Sequence, residues 1–196
     1  MNLYDRYLLP MLVHRTCSAT TTMRQRAKVV LLARGDVLEV GFGSGLNLPF
    51  YDPSKVTKLW GLDPSAELTR MALQAARDAA FEVKLVPAGS EEIPLDADRF
   101  DTAVLTYTLC TIPSGALFFC EHGLAPDASV RRWQSRLNAI WRRVSGGCHL
   151  NRDVPALLER GGFEITEIET MYLPGWRVAS YQYRGTAVAQ LPTSSP

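Results

Sequence analysis

The chain has 196 residues, is 46% hydrophobic and 21% charged, and carries 14 Gly and 12 Pro. That length and composition imply a single domain with a sizeable core and exclude disordered, collagenous and coiled-coil classes. Lys+Arg 21 against Asp+Glu 20 leaves a net charge of +1, which argues against a nucleic-acid-binding surface spread over the molecule.

Cys17, Cys110, Cys120 and Cys148 form no C-x-x-C pair and no zinc-ligand spacing, so reduced thiols and no metal are expected. No apolar run approaches the ~18–20 residues of a membrane span. Leu8 to Val13 is too short and interrupted for a signal-peptide core. A cytoplasmic location is the expectation.

In chain order, residues 19–33 have helical character and lead into a strand at Val37–Val40. A second strand is predicted at Lys58–Leu62. A helix follows from Ser65 to Ala80, capped by Asp63 or Ser65, with Leu68, Met71, Ala72, Ala75 and Ala79 as its apolar face. Glu82–Val86, Phe100–Tyr107 and Ala116–Cys120 supply three further strands. A long helix is expected over Ala128–Val144 and a short one near Val154–Arg160, before closing strands at Phe163–Tyr172 and Val178–Ala189. This alternation predicts an α/β sheet of mostly parallel strands.

The informative stretch is Val37-Leu38-Glu39-Val40-Gly41-Phe42-Gly43-Ser44-Gly45. Glycines after a first strand let the backbone approach a ligand closely, because no Cβ intervenes. The dinucleotide fingerprint needs a third glycine at position 46, which is Leu46. Glu39, two residues before Gly41, suits a ligand bearing an ammonium group better than a pyrophosphate. Asp63, 18 residues beyond Gly45, ends the second strand, where a carboxylate can accept two hydrogen bonds from a ribose diol. The segment Gly89-Ser90-Glu91-Glu92 after the third strand would sit beside an adenine ring.

In that order and spacing, residues 28–123 resemble the class I S-adenosylmethionine-dependent methyltransferases. The resemblance implies a Rossmann-like, seven-stranded, mostly parallel sheet with flanking helices and an antiparallel last strand. Glu39, Gly41, Gly43 and Gly45 would hold the methionine moiety of S-adenosyl-L-methionine, and Asp63 the ribose. Ser90 and Glu91 would lie by the adenine, and Thr106 and Tyr107 would line the methyl-transfer side. Glu121-His122, the Trp-containing helix, Gly147-Cys148-His149-Leu150-Asn151 and Leu157-Leu158-Glu159-Arg160 are similar to the methyltransferase-like thiol S-methyltransferases and their bacterial relatives. Some of those relatives are labelled phospholipid or quinone methyltransferases.

The resemblance divides the domain into an N-terminal helical lid (1–35, with Tyr4 able to close over the cofactor), a cofactor-binding core (36–123) and substrate-side helices and closing strands (124–196). Glu121 and His122, after the fifth strand, are the candidate catalytic residues. For Cys148 and His149 the plainer reading is a packed thiol and a solvated imidazole after a Gly-Gly turn. The expected activity is methyl transfer to a small-molecule acceptor, a thiol first. An N- or O-methyltransferase of a phospholipid headgroup or quinone is the alternative, and a cofactor-binding protein without turnover is a rival from another class. No nucleic-acid partner is expected.

Two features stand apart. On the helix over 128–144, Val130, Trp133, Leu137, Ile140, Trp141 and Val144 share one face. Arg131, Arg132, Arg136, Arg142 and Arg143 share the other. The plain reading is a core-facing helix with a solvated basic face, and the functional one a peripheral contact with an anionic membrane surface or an acidic substrate. Secondly, eight residues, Thr108 to Gly115, join strands four and five, where the family has a helix. They reach at most ~27 Å, barely the ~23 Å of a seven-residue strand, so a helical crossover is excluded. Strand five is then repositioned or swapped, or a partner such as a second copy covers the sheet, or a segment is missing from the chain, the reading preferred here.

Overall fold

The computed structural model describes residues 8–88, 99–107, 116–145 and 148–189. Ser90 and Glu91, the connection 108–115, Tyr4 and the C-terminal tail lie outside the described residues. The elements are α1 (Leu9–Cys17), α2 (Thr20–Val30), β1 (Gly35–Val40), β2 (Val56–Leu62), α3 (Ala66–Arg77), β3 (Glu82–Val86) and β4 (Thr102–Thr106). They continue as β5 (Ala116–His122), α4 (Ala128–Val144), α5 (Val154–Arg160), β6 (Phe163–Tyr172) and β7 (Tyr181–Ala189), with 3-10 turns at Leu48–Phe50 and Arg177–Ala179. The helix α1 lies within the helical segment expected over 1–35, ahead of the helix read at 19–33, and Val178 belongs to the second 3-10 turn rather than to the last strand.

Among the described residues the strands form one seven-stranded sheet in the order β3-β2-β1-β4-β5-β7-β6, with β7 antiparallel to both neighbours. The chain leaves β1 toward β2 on one side and returns as β4 on the other. The carboxyl tips of β1 and β4 therefore flank the switch point where open α/β sheets bind ligands. β5 lies parallel to β4 in unbroken register, from Thr102 opposite Ala116 to Thr106 opposite Cys120. That pairing overturns the repositioned fifth strand. The connection has only to descend from Thr106 to the level of Ala116, four residues of strand or roughly 13 Å. A β4 running over Phe100–Tyr107, as the sequence suggests, would make this span longer.

Alternation along the strands builds a core on each face. Leu38, Val40, Leu62, Leu105, Leu117 and Phe119 pack with Val154 and Leu158 of α5 on one side. Val37, Leu59, Val104 and Cys120 pack with Val29 and Val30 of α2 and Ala72 of α3 on the other. Each large apolar side chain so buried contributes roughly 1.5–3 kcal/mol relative to exposure. Ser65 caps α3 by accepting from the Leu68 amide at 3.3 Å. The buried side of α3 runs through Ala72 with Ala76, followed just past the helix by Ala79, while Met71 and Ala75 face solvent. This rotation from the expected face follows from close approach, since small alanines let α3 settle against Gly45, whose would-be Cβ would lie 3.3 Å from Ala72.

The face of α4 differs more. Val130 is buried, but Trp133 and Ile140 are 53% and 65% exposed, so the apolar stripe does not face the core. The helix is instead pinned through a polar residue. Gln134, 1% exposed, accepts from the Ala125 amide at 3.0 Å and donates to the carbonyls of Gly123 and Val178 at 2.9 and 3.1 Å. Those backbone groups close the β5–α4 turn and tie it to the loop before β7, so removing the amide leaves buried partners unsatisfied. Gln134→Ala should destabilise the protein by about 2–4 kcal/mol in urea denaturation; a loss under about 0.5 kcal/mol would contradict the pinning role.

Candidate cofactor and acceptor site

The loop after β1 is shaped by glycine: Gly41, Gly43 and Gly45 all have positive φ, at 74°, 57° and 77°. At Gly45 any side chain would also press on Leu48 Cδ1 at 3.0 Å. Gly43 differs, because a Cβ there would meet nothing nearer than 3.9 Å, leaving the loop open to a ligand. The loop is anchored from β2, since the Gly41 and Phe42 amides both donate to the Leu62 carbonyl at 2.9 Å. Asp63 completes the anchorage, taking the Gly43 amide on Oδ2 and the Ser65 amide on Oδ1, each at 2.8 Å. Each carboxylate oxygen keeps acceptor capacity for a ribose hydroxyl. Burial raises the Asp63 pKa against the lowering effect of those two amides.

Beneath the loop lies a polar network that the sequence did not announce. Glu39, 1% exposed, accepts from Asn47 Nδ2 at 2.9 Å on Oε1 and from the Tyr51 hydroxyl at 2.7 Å on Oε2. Asn47 Nδ2 also donates to Thr106 Oγ1 at 2.9 Å. Arg26 of α2, itself buried, donates from Nη1 to Thr106 Oγ1 at 2.6 Å and to Asn47 Oδ1 at 3.1 Å. Burial pushes the Glu39 pKa up to about 7, held from rising further by the Tyr51 hydroxyl, the Arg26 charge and Asn47. Arg26 Nε has no partner among the described residues. Thr106 therefore serves as an acceptor that ties β4 to α2 and to the β1 loop.

Tyr107 turns the chain at the tip of β4 with φ 63°, an uncommon conformation for a bulky residue that carries strain of order 1–3 kcal/mol. It packs with the cluster that contains Val104 and Cys120. The Arg26 guanidinium sits 4.7 Å from the centre of its ring, and His122 stacks beside it at 6.2 Å. His122 Nε2 lies 3.0 Å from Cys148 Sγ. Burial lowers the His122 pKa to about 4 and raises that of Cys148 to about 11. The pair is thus a neutral imidazole beside a neutral thiol.

Glu121 and His122 fall inside β5, and strand alternation separates them. Glu121 is in line with Leu117 and Phe119, and His122 with Phe118 and Cys120. Burial raises the pKa of Cys17, Tyr107 and Cys148, and the Glu121 charge adds a smaller push in the same direction. His149 sits at 3.4 Å from Asn138 rather than in the site. Over the loop, α1 contributes His14, whose Nδ1 is 2.6 Å from Ser44 Oγ. Among the predicted residues, Glu39, the three glycines, Asp63, Thr106, Tyr107 and His122 converge at the β1–β4 switch point. Arg26, Asn47, Tyr51, His14 and Cys148 join them unannounced or reassigned.

The methyltransferase domain family matches residues 38–123. The chain is 28% identical over 152 residues to the thiol S-methyltransferase TMT1B of Rattus norvegicus, covering 68% of this chain and 62% of that protein. It thus spans under two thirds of that relative's length. It is 32% identical over 93 residues to the phosphatidylethanolamine N-methyltransferase of Cereibacter sphaeroides, covering 46% of this chain and 45% of that one. The fold matches the magnesium protoporphyrin IX methyltransferase of Synechocystis PCC 6803, solved with bound SAH, at a TM-score of 0.65 and 14% identity. That match covers 95% of this chain and 97% of the other.

The raised pKa of Glu39 has a signed consequence for stability. Below the unfolded value of 4.5 the group is protonated in both states. As pH rises to about 7, ionisation favours the unfolded chain. The resulting loss is on the order of 3 kcal/mol. The stability difference between wild type and Glu39→Gln, measured by denaturation from pH 5 to 8, should move against wild type as pH rises. A flat difference would contradict the burial of an ionisable Glu39.

Proposed function

We propose that the chain is a class I S-adenosylmethionine-dependent methyltransferase and that its methyl acceptor is a small-molecule thiol. The carrying observation is the neutral His122, whose Nε2 already has a thiol, Cys148, at 3.0 Å beside the Tyr107 ring. The rat thiol S-methyltransferase relative supports the same reading. The site fits the cofactor: the glycine loop is open at Gly43, Asp63 retains acceptor capacity, and the Glu39 carboxylate lies at the switch point. Glu39, Gly41, Gly43 and Gly45 would hold the methionine moiety and Asp63 the ribose.

Bound S-adenosylmethionine supplies a methyl group already activated by the sulfonium charge. The chain has to align an acceptor and exclude water. Tyr107 and His122 present a stacked aromatic wall at 6.2 Å, suited to a polarisable sulfur. A thiol with a reference pKa near ~8.5 needs little help to lose its proton. With its own pKa near 4, His122 is too weak a base to store that proton. Its role is to orient the acceptor sulfur at the position that Cys148 Sγ marks, the thiol having passed its proton to bulk solvent before water is excluded.

A phospholipid amine is the second reading, favoured by the similarity to the phosphatidylethanolamine N-methyltransferase. An ammonium headgroup must lose a proton before it attacks, which asks for a stronger base than His122.

A panel of alkyl and aryl thiols, phosphatidylethanolamine and phenols should show methyl transfer to thiols first. His122→Ala should lower kcat/KM for thiols by about tenfold. Asp63→Asn should weaken cofactor binding about tenfold to a hundredfold, because hydrogen bonds to a charged acceptor are lost. Transfer to the phospholipid amine with thiols inert would overturn the thiol reading and leave the methyltransferase assignment standing.

A further inference from the structure

Part of the apolar stripe of α4, Trp133 with Ile140, is left uncovered by the fold, and the stripe beside it is basic. About 100° separates successive residues of a helix. The side facing the protein therefore runs through Val130, Gln134 and Asn138, which pack on or bond to Gly123, Ala125, Val178 and Leu150. Trp133 and Ile140, two turns apart, fall on an adjoining flank and are 53% and 65% exposed. Trp176, from the loop before β7, is 52% exposed and extends this flank through Trp141, ring centres 6.0 Å apart.

Arg132, Arg136 and Arg143 form the next stripe around the helix, and all three are exposed. The Arg136 guanidinium lies 5.6 Å from the centre of the Trp133 ring. No acidic residue occurs between 128 and 145. At the ends of the segment, Asp127 is bound by Arg177 at 3.1 Å and by the Tyr172 hydroxyl, and Asp153 caps α5 through the Ala156 amide.

We propose that this flank of α4, with Trp176, docks on the surface of an anionic lipid bilayer. Indole rings favour the boundary between headgroups and acyl chains. The arginines can lay their stems along apolar surface while the guanidinium groups reach lipid phosphates. An amphipathic helix with this pairing of exposed apolar flank and uncompensated basic stripe lies in the plane of the interface. Nucleic acid fits less well, because the exposed aliphatic Ile140 offers neither a charge to phosphate nor a ring face to a base. Among the described residues no helix is long and apolar enough to cross a membrane; the contact proposed here is a peripheral one. Because α4 follows directly from the tip of β5, docking would bring the acceptor side toward the bilayer, whatever the acceptor's chemistry.

The test is sedimentation with vesicles of phosphatidylcholine alone and of phosphatidylcholine with about 30% phosphatidylglycerol, near physiological salt. At least tenfold tighter partitioning onto the anionic vesicles is expected. The triple variant Arg132→Gln, Arg136→Gln, Arg143→Gln should lose that preference, and Trp133→Ser with Ile140→Ser should abolish binding. Cofactor affinity, measured on both variants, should be unchanged and so report intact folding. Equal recovery of wild type with both vesicle types overturns the proposal. So does unchanged binding by the serine variant, an oligomeric state that changes with Ile140→Ser while vesicle binding does not, or tighter retention on RNA than on vesicles.

Discussion

Everything at the ligand end of this sheet depends on one buried carboxylate. Glu39 stands at the tip of β1 with both oxygens occupied, by Asn47 and by Tyr51. An unpaired charge in that position would cost several kcal/mol. The fold compensates with two neutral donors and with Arg26, which reaches the same network through Asn47 and Thr106. The network joins α2, β1, the loop after it and β4, so the two strands that open at the switch point are held at a fixed spacing. The glycine loop rests on this floor, and Asp63 clamps it from the side.

What was legible in the sequence were the features written in local chemistry. Ser65 caps α3 as one of the two residues read for that role, and α4, α5 and β6 occupy the residues their periodicity indicated. The glycine loop and Asp63 could be read because spacing alone carries their meaning. Arg26 could not, because its partners lie 21 and 80 residues away and nothing in α2 marks one arginine as buried. Tyr107 was placed at the right strand tip, yet its left-handed turn, which sets its ring with Arg26 and His122, has no sequence signature. The separation of Glu121 from His122 follows from β5 running two residues further than its apolar run.

The α4 helix shows how a correct periodicity can still mislead about packing. Its apolar residues do share a stripe, but the side that the fold covers is centred on Val130 and Gln134, and Gln134 anchors it by hydrogen bonds to backbone. The short connection between β4 and β5 carries a similar lesson. Its length looked barely sufficient against a full-length β4, and is ample for the span once the register puts Ala116 level with Thr102.

The central claim, that Glu39 forms the floor for an ammonium-bearing cofactor, is tested most directly by calorimetric titration with S-adenosylhomocysteine. The titration is run at pH 7 in two buffers of different ionisation enthalpy. A positive group near a carboxylate whose pKa is about 7 favours its ionised form. Wild type should therefore release on the order of half a proton per site on binding. Glu39→Gln should bind more weakly and release none. Binding enthalpies identical in the two buffers for wild type, or equal affinity in the variant, would contradict the account.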